Sequence, residues 1–192
     1  KESNLITLNN KTRDKRIKVI KDLKTKIIFL DKYITNNRYY SSVKYNDNNL
    51  KFLKKSKKKI ANIKTSLGNI ETPMLEDDYR RADQFKKILK NKEILDFGCR
   101  WGGFLRNIKD GKSLYGVELR EECINYVKNN FKKINISDNI NHFEKKFDII
   151  TMFHVLEHIP QQIDILKLLK AKLRHKGKII IEVPHAEDFL IL

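Results

Sequence analysis

The second half of the chain alternates short apolar runs with helical segments, and this alternation constrains the fold more than any other feature. From residue 91 onward the apolar runs are EILDF, SLYGVEL, KINIS, FDIITMF and KIIIEV. They lack the polar alternation of a half-exposed strand, so both faces of each strand are expected to be covered. The pattern predicts an α/β fold with an open, mainly parallel, Rossmann-like sheet. Such sheets bind ligands beyond the carboxyl ends of their strands, where candidate site residues are to be sought.

The first 70 residues have a different pattern of apolar residues. Glycine and proline are absent before Gly68, and apolar residues recur at steps of three and four, which predicts amphipathic helices. One run holds Ile20, Leu23, Ile27, Leu30 and Ile34, and a second holds Leu50, Leu53, Ile60, Ile63 and Leu67. We therefore predict a basic helical N-terminal segment over residues 1–70 and a Rossmann-like domain over residues 71–192, opened by a helix that ends near Lys90.

Both ends of the sequence resemble positions inside a longer chain. The first residue is Lys1, and the last residues, FLIL, are apolar. We therefore expect a piece of a longer protein, with the second domain incomplete at its C-terminus.

The chain carries a net charge of +17 over 192 residues. Residues 1–90 hold 24 Lys and Arg against 10 Asp and Glu, whereas residues 91–192 hold 17 against 14. A basic segment is typical of nucleic-acid binding. Few aromatic residues accompany the lysines, so stacking on bases has little support, and a solvated helix face is the simpler interpretation.

The two cysteines, Cys99 and Cys123, lack CxxC spacing and predict neither a disulfide framework nor a zinc site. This usage suits a reducing compartment, and we predict a cytoplasmic protein. No apolar run is long enough to span a membrane.

The segment DFGCRWGG, residues 96–103, follows the first strand of the predicted sheet. Glycines there let a ligand lie against bare backbone, and the next helix offers free N–H groups. No GK[ST] follows, which excludes a Walker loop, and the dinucleotide pattern GxGxxG fails at Arg100. Glu118 lies at the next strand tip, 22 residues after Asp96, where a carboxylate can accept the hydroxyls of a ribose. These residues predict a nucleoside cofactor that is not a dinucleotide.

Three motifs together resemble class I S-adenosylmethionine-dependent methyltransferases. They are DFGCRWGG, GVEL at 116–119 and FDIITMFHVLEHI at 147–159, and the resemblance covers roughly the second half of the chain. It implies S-adenosyl-L-methionine as the cofactor, and the LEH signature resembles the branch that methylates small molecules and sugars. The residues assigned to the cofactor are Asp96, Gly98, Cys99, Arg100, Gly102, Glu118, Leu119, Asp138 and Phe153.

By this resemblance, Asp96 and the glycine loop contact the methionine portion, Glu118 contacts the ribose, and Asp138 or its neighbour Asn139 contacts the adenine. Arg100 departs from the family pattern, which has a glycine at that position. Its side chain could crowd the cofactor and abolish binding, or lie outward with its guanidinium near the cofactor carboxylate. The remaining glycines favour retained binding.

The chemistry is assigned to histidines at strand ends. Methyl transfer is an in-line displacement that depends on alignment, and a hydroxyl acceptor also gains from a base. His154 is the preferred base, with His185 as the competitor; each could equally be a structural hydrogen-bonding group. HVLEH also spells HxxEH, but a strand runs into the motif, so we predict no zinc site. Magnesium held by Glu157 and His158 is a minor alternative, and the prediction is that no metal is bound.

The predicted acceptor is a hydroxyl of a small molecule: a sugar, a glycan or a lipid precursor. TMFH stands where base-methylating enzymes carry a [DN]PPY-type segment, which argues against nucleic acid. Two alternatives stay open. One is an RNA methyltransferase that uses the basic N-terminal segment as an arm, and the other is a non-catalytic relative whose loop is closed by Arg100. The N-terminal segment could also mediate a homodimer.

Overall fold

The first described residues form an antiparallel sheet of three strands. The computed structural model describes residues 4–10, 17–32, 64–65, 68–69 and 76–184. The strands are β1 (Leu5–Asn9), β2 (Val19–Asp22) and β3 (Ile28–Leu30), in the order β1-β2-β3. They belong to a different compact unit from residues 37–183. Further along, β4 (Lys64–Thr65) pairs antiparallel with β5 (Gly68–Asn69).

The prediction of helices in this part of the chain is wrong wherever the structure describes it. Ile20 pairs with Phe29 across β2 and β3, so the run from Ile20 to Leu30 is a hairpin. The Asp22 carboxylate accepts hydrogen bonds from the Lys24 N–H and from the Thr25 hydroxyl, and these bonds stabilise a tight turn. Ile34 and residues 50–63 lie outside the described residues. The boundary between residues 70 and 71 stays a prediction.

Residues 76–184 contain four α-helices and five strands. The helices are α1 (Glu76–Leu89), α2 (Gly103–Arg106), α3 (Glu121–Asn130) and α4 (Gln162–Ala171). The strands are β6 (Glu93–Phe97), β7 (Ser113–Val117), β8 (Ile134–Ser137), β9 (Phe147–Phe153) and β10 (Leu173–Glu182). Two short 3₁₀ turns, Ile140–His142 and Leu156–His158, flank β9.

The five strands form one parallel sheet in the order β10-β9-β6-β7-β8. This confirms the predicted Rossmann-like α/β fold. The chain runs outward from β6 through β7 to β8, then returns to place β9 on the other side of β6. The topological switch point therefore lies at the carboxyl end of β6, which is where open α/β sheets bind ligands.

The sheet is covered on both faces, as its uninterrupted apolar strands require. One core includes Leu105, Val127 and Ile149, and the other includes Leu95, Phe147 and Leu169. Burying a side chain of this size contributes roughly 1.5 to 3 kcal/mol. The packed strands hold the loops at their carboxyl ends in fixed positions.

The last helix is shorter than the sequence predicts. Helical spacing extends through AKLRHKG, but α4 ends at Ala171 and Leu173 already pairs with Phe147 of β9. A register shift between Leu173 and Lys178 accommodates the polar residues, and Lys176 has a φ of 61°. Tertiary pairing with β9 therefore overrides the local helical preference. Among the described residues, no helix is long and apolar enough to cross a membrane.

Candidate active site

Asp96 and Glu118 lie at adjoining strand tips, as the sequence predicts. Asp96 pairs with Gly116 in the β6–β7 ladder, and Glu118 directly follows β7. Both side chains are buried. Burial is the main cause of a raised pKa at Asp96, and the charge of Glu118 adds to it, so the two carboxylates lie near each other. The two acids therefore share one region at the switch point.

Asp96 is a buried carboxyl group beside a hydroxyl. Thr151 of β9 donates its hydroxyl to Asp96 Oδ1 over 2.7 Å. Burial raises the pKa of Asp96 to about 7; the Thr151 hydrogen bond opposes this rise, and the nearby charge of Asp78 adds to it. Asp96 therefore changes its protonation state close to neutral pH.

The loop after β6 contains three residues with left-handed backbone. Gly98 has a φ of 84°, Arg100 of 48° and Gly102 of 73°. A side chain on Gly98 would overlap Val155, because an added Cβ falls inside van der Waals contact of its methyl groups. Arg100 is an exposed residue of this loop.

Glu118 connects this loop to the start of α3. Its Oε2 accepts a hydrogen bond from the Arg100 N–H at 2.9 Å. Its Oε1 accepts from both the N–H and the Nε of Arg120, each at 3.1 Å. These donors fix the carboxylate in one orientation, and carboxylate oxygens have capacity for further donors.

Two other predicted cofactor residues differ sharply in exposure. Cys99 is buried, and an added Cβ on Gly116 would lie 2.6 Å from its Sγ, so the thiol packs against β7. Burial raises the pKa of the Cys99 thiol well above its usual value. Leu119 is 73% exposed, which is unusual for a leucine beside a buried acid. Its side chain offers an apolar surface next to Glu118.

Asp138 lies after β8 in a polar turn. It is exposed, and its carboxylate lies 3.3 Å from His142 Nδ1. Ser137 Oγ lies 2.7 Å from the same nitrogen, and the Asn139 side chain accepts from the Asn141 N–H. Asn139 therefore caps the 3₁₀ turn, and Asp138 Oδ1 accepts from the Ser137 hydroxyl at 3.2 Å, so both residues considered for adenine have partners within the turn.

His154 follows β9 and lies between two carboxylates. Its Nε2 is 3.2 Å from Glu182 Oε1, and its Nδ1 is 3.5 Å from Glu157 Oε1. The backbone of His154 has a φ of 53°, and its N–H donates to the carbonyl oxygen of Glu182. A strained backbone at a strand tip is a feature of functional sites.

Sequence reasoning missed Glu182 and its partner Arg81. Glu182 ends β10, and Arg81 of α1 donates to both of its carboxylate oxygens, with Nε 3.1 Å from Oε2. The Arg81 hydrogen bond is the main reason that the pKa of Glu182 is lowered. Applying the rule of strand ends to KIIIEV would have found Glu182, whereas Arg81 carries no local signal.

The remaining predicted residues have plainer surroundings. The Phe153 ring packs edge-on against Phe104 at 4.9 Å and under the Arg81 guanidinium at 5.0 Å. His158 is exposed, with Nε2 3.9 Å from Glu157 Oε1. His185 lies outside the described residues, so its place beside His154 stays a prediction. Among the described residues, no three metal-ligating side chains are grouped to hold an ion.

Comparison with known proteins gives a consistent result. A family model described as a methyltransferase domain matches residues 74–191. The chain is 35% identical over 104 residues to the tRNA U34 carboxymethyltransferase of Nautilia profundicola, over 49% of this chain and 35% of that protein. It is 34% identical over 101 residues to the ubiquinone biosynthesis O-methyltransferase of Coxiella burnetii, over 47% of this chain and 43% of that protein. The chain thus spans less than half the length of these relatives.

Solved structures share the fold at lower identity. The plantazolicin methyltransferase BpumL, in complex with a pentazolic analog and SAH, matches with a TM-score of 0.55 and 21% identity, over 75% of this chain and 55% of that one. Streptomyces venezuelae DesVI matches with a TM-score of 0.51 and 15% identity, over 57% of this chain and 52% of that one. At these identities the likeness establishes the fold.

Proposed function

This chain belongs to the methyltransferase domain family, and we propose that it transfers the methyl group of S-adenosylmethionine to a hydroxyl of a small-molecule acceptor. One observation carries the proposal. Asp96 and Glu118 are buried together at the switch point of the sheet, beside a loop with left-handed backbone at Gly98 and Gly102. This arrangement is the one expected for the cofactor-binding site that the sequence motifs imply.

The charge of the site fits a cationic cofactor. Burial is the main cause of the raised pKa of Asp96; the carboxylates of Asp78 and Glu118 add to it and Arg81 opposes it, so acidic groups outnumber Arg81 around Asp96. An ammonium and a sulfonium in the same region offset that excess. We assign the ammonium end of the cofactor to Asp96 and its loop.

The opposite end of the cofactor is assigned to β7 and β8. Glu118 is held by backbone and guanidinium donors, so it is oriented before a ribose hydroxyl binds. Leu119 supplies exposed apolar surface for a base, and Asp138 supplies an exposed acceptor for an amino group. Each of these assignments rests on position at the carboxyl ends of neighbouring strands.

When bound, S-adenosylmethionine supplies a methyl group on sulfur that is open to in-line attack. His154 removes the proton of the acceptor hydroxyl at Nδ1, while its Nε2–H donates to Glu182. Glu182 is fixed by Arg81 and stabilises the imidazolium that forms. Glu157 Oε2 is buried and has no hydrogen-bond partner within the described part of the chain, so a donor group of the acceptor other than the reacting hydroxyl can satisfy it.

Observations in the structure also bear on the alternatives. A non-catalytic module required Arg100 to close the loop, and the exposed position of its side chain supports an open loop instead. The named relatives include proteins that act on tRNA and in ubiquinone biosynthesis, so their names do not choose the acceptor. The TMFH sequence after β9 favours a small molecule over a base in nucleic acid.

The cofactor is tested by isothermal titration with S-adenosylhomocysteine. We expect binding in the micromolar range, and Glu118→Ala is expected to weaken it at least about tenfold because the ribose loses a charged acceptor. His154→Gln serves as the matched control, since it lies outside the proposed cofactor contacts and should leave the affinity unchanged. Absence of binding at millimolar ligand would remove the proposal.

The acceptor is tested by transfer of a labelled methyl group to sugar nucleotides, polyprenyl phosphates and hydroxylated aromatics, with total RNA as the comparator. We expect label on a hydroxyl compound, and His154→Gln should lower the rate about 100-fold or more while cofactor binding persists. Label found in RNA alone contradicts the small-molecule assignment. Full activity of His154→Gln contradicts the role of the base.

A further inference from the structure

The sheet gathers scattered lysines on the edge where its strands begin, which we name the amino edge. In a parallel sheet every strand starts on the same side, so the connections that lead into the strands lie together. These connections are residues 90–92, 107–112, 131–133, 143–146 and 172. Their lysines are Lys90, Lys92, Lys109, Lys112, Lys132, Lys133, Lys145, Lys146 and Lys172. The acids among the same residues are only Asp110 and Glu144.

The opposite edge, where the strands end and the candidate active site lies, lacks this excess of basic residues. The connections that follow β6, β7, β8 and β9 contain no lysine up to the next described helix or 3₁₀ turn. They carry Glu118 and Asp138, with Arg100 and Arg120 as the cations. The nearly neutral second half of the chain is therefore strongly polarised along the strands.

Part of the positive charge is already neutralised. Glu93 at the start of β6 lies 2.9 Å from Lys145 Nζ, 2.9 Å from Arg174 and 3.5 Å from Lys112 Nζ. Lys112 precedes β7, Lys145 precedes β9 and Arg174 lies at the start of β10. The amino edge therefore brings together basic residues from three separate parts of the chain. Among the lysines of the amino edge, six are exposed and form no ion pair with another described residue: Lys90, Lys92, Lys109, Lys132, Lys133 and Lys146.

Helix dipoles account for some of this pattern but not for its extent. The helices end at the amino edge, and a cation near a helix C-terminus is favourable by about 0.3 to 1 kcal/mol. That effect falls off within the last turn. Lys109, Lys112, Lys145 and Lys146 follow no long helix and lie directly before strands, where the dipole gives them no benefit. Clustering like charges there has a cost that a bound polyanion removes.

We propose that the amino edge is a docking surface for the phosphate backbone of folded RNA. Its chemistry is that of sequence-independent backbone binding: several mobile ammonium groups from separate connections and no exposed aromatic ring for stacking among them. The connections are short, so no helix or ribbon projects from this edge to enter the major groove of B-DNA. The A-form helix of RNA is bound mainly through its backbone and shape, which suits such a surface.

An anionic membrane fits the amino edge less well. Stable peripheral binding takes a second signal besides a basic patch, such as apolar side chains that enter the lipid. Of the exposed large apolar side chains in residues 76–184, only Ile88 lies at this edge, whereas Leu119, Ile163 and Val183 lie at the other. The proposal concerns docking and is independent of which molecule receives the methyl group.

The test uses the whole chain and a fluorescein-labelled 20-base-pair RNA duplex, with fluorescence anisotropy measured from 50 to 300 mM KCl. The edge variant is Lys92→Glu/Lys133→Glu/Lys146→Glu, with one substitution in each of three connections. The control variant is Lys18→Glu/Lys24→Glu/Lys32→Glu, which changes the same charge among exposed lysines of the basic N-terminal segment. Circular dichroism and binding of S-adenosylhomocysteine should be unchanged in both.

We expect the edge variant to bind RNA at least about tenfold more weakly at 100 mM KCl, with the slope of log K against log salt reduced by about 2, because up to three phosphate contacts are lost. The control variant should stay within about threefold of the parent. Equal loss in both variants, no loss in the edge variant, or tighter binding of a DNA duplex of equal length would overturn the proposal. So would an edge variant that loses only its affinity for phosphatidylserine vesicles.

Discussion

The backbone N–H of Arg100 donates a hydrogen bond to Glu118 Oε2 over 2.9 Å, which ties the loop after β6 to the tip of β7. The bond requires the amide of Arg100 to point toward Glu118, and the residue adopts a φ of 48° in this position. Arg100 therefore holds a left-handed conformation, which glycine adopts without steric cost. Its side chain is exposed, so the cost of the replacement is confined to the backbone.

Arg100→Gly tests this account of the loop. A left-handed φ costs a non-glycine residue about 1 to 2 kcal/mol, and substitution by glycine removes this strain from the folded state. Glycine also makes the unfolded chain more flexible, which offsets about 0.5 to 1 kcal/mol of the stability gained. We expect the free energy of unfolding in urea to rise by up to about 1 kcal/mol, and Arg100→Val to lower it. The affinity for S-adenosylhomocysteine should change less than about threefold. A much tighter affinity in Arg100→Gly would show that the side chain obstructs the site.

Gly98→Ala is expected to destabilise the domain by about 2 to 4 kcal/mol, since it combines a φ of 84° with overlap on Val155. The double variant Gly98→Ala/Val155→Ala should recover the steric part relative to the sum of the single changes. Denaturation by urea measures the coupling between the two positions. Strict additivity would mean that Val155 gives way without cost. Gly102→Ala is the milder comparison, because its added Cβ would lie 3.2 Å from Val127 Cγ2.

The strands of the central sheet could be read from the sequence because they are apolar on both faces, a pattern that helices of this length do not share. The hairpin at Ile20 could not be read in the same way. Its apolar residues fall at spacings of three to seven, which suit a helix as well as two short strands joined by a turn. The signal that separates the two is Asp22 with Thr25, an Asx-type turn.

The same contrast holds for the site. Asp96 and Glu118 follow strands directly, so their meeting is a consequence of parallel order and could be predicted. Arg81 and Glu182 are 101 residues apart, and their pairing depends on α1 packing beside β10. Polarity between the two edges of the sheet was hidden for the same reason. Each connection contributes only one or two lysines, and the strand order brings them together.

Asp96→Asn is expected to alter the dependence of stability on pH. Burial raises the pKa of Asp96 from about 4 to about 7, so the folded state holds its proton more tightly than the unfolded state. The stability that the protonated acid provides is complete below pH 4 and is lost as pH rises to 7, at about 1.4 kcal/mol per pH unit at most. The stability of Asp96→Asn relative to that of the parent should therefore increase between pH 5 and 8, as measured by the midpoints of urea denaturation. Parallel curves would contradict the buried, raised pKa.

Cofactor affinity should respond to the same group in the opposite direction. If Asp96 pairs with the ammonium end of the cofactor, binding requires the ionised acid, so affinity falls as pH drops below 7, by up to about tenfold per unit. Titration with S-adenosylhomocysteine at pH 5.5, 6.5 and 7.5 measures this dependence. Asp96→Asn should bind S-adenosylhomocysteine weakly, and its affinity should not depend on pH. An affinity independent of pH in the parent would place the ammonium elsewhere.

Glu93→Gln is expected to destabilise the sheet through its amino edge. The side chain is 7% exposed and is contacted by Lys112, Lys145 and Arg174, so its loss leaves three partly exposed basic groups without their shared acid. We expect a cost of about 1 to 3 kcal/mol at pH 7, below the value for fully buried pairs because the partners are partly exposed.

The hydrogen bond from Lys145 is the main reason that the pKa of Glu93 is lowered. The carboxylate therefore stabilises the fold above its unfolded pKa, near 4.5, and this contribution is lost as pH falls through the lower folded value. The difference between the parent and Glu93→Gln in urea should shrink accordingly below pH 4. Lys112→Ala, which removes the most exposed of the three partners, should cost less than about 1 kcal/mol. A larger effect in Lys112→Ala than in Glu93→Gln would contradict the central role of the acid.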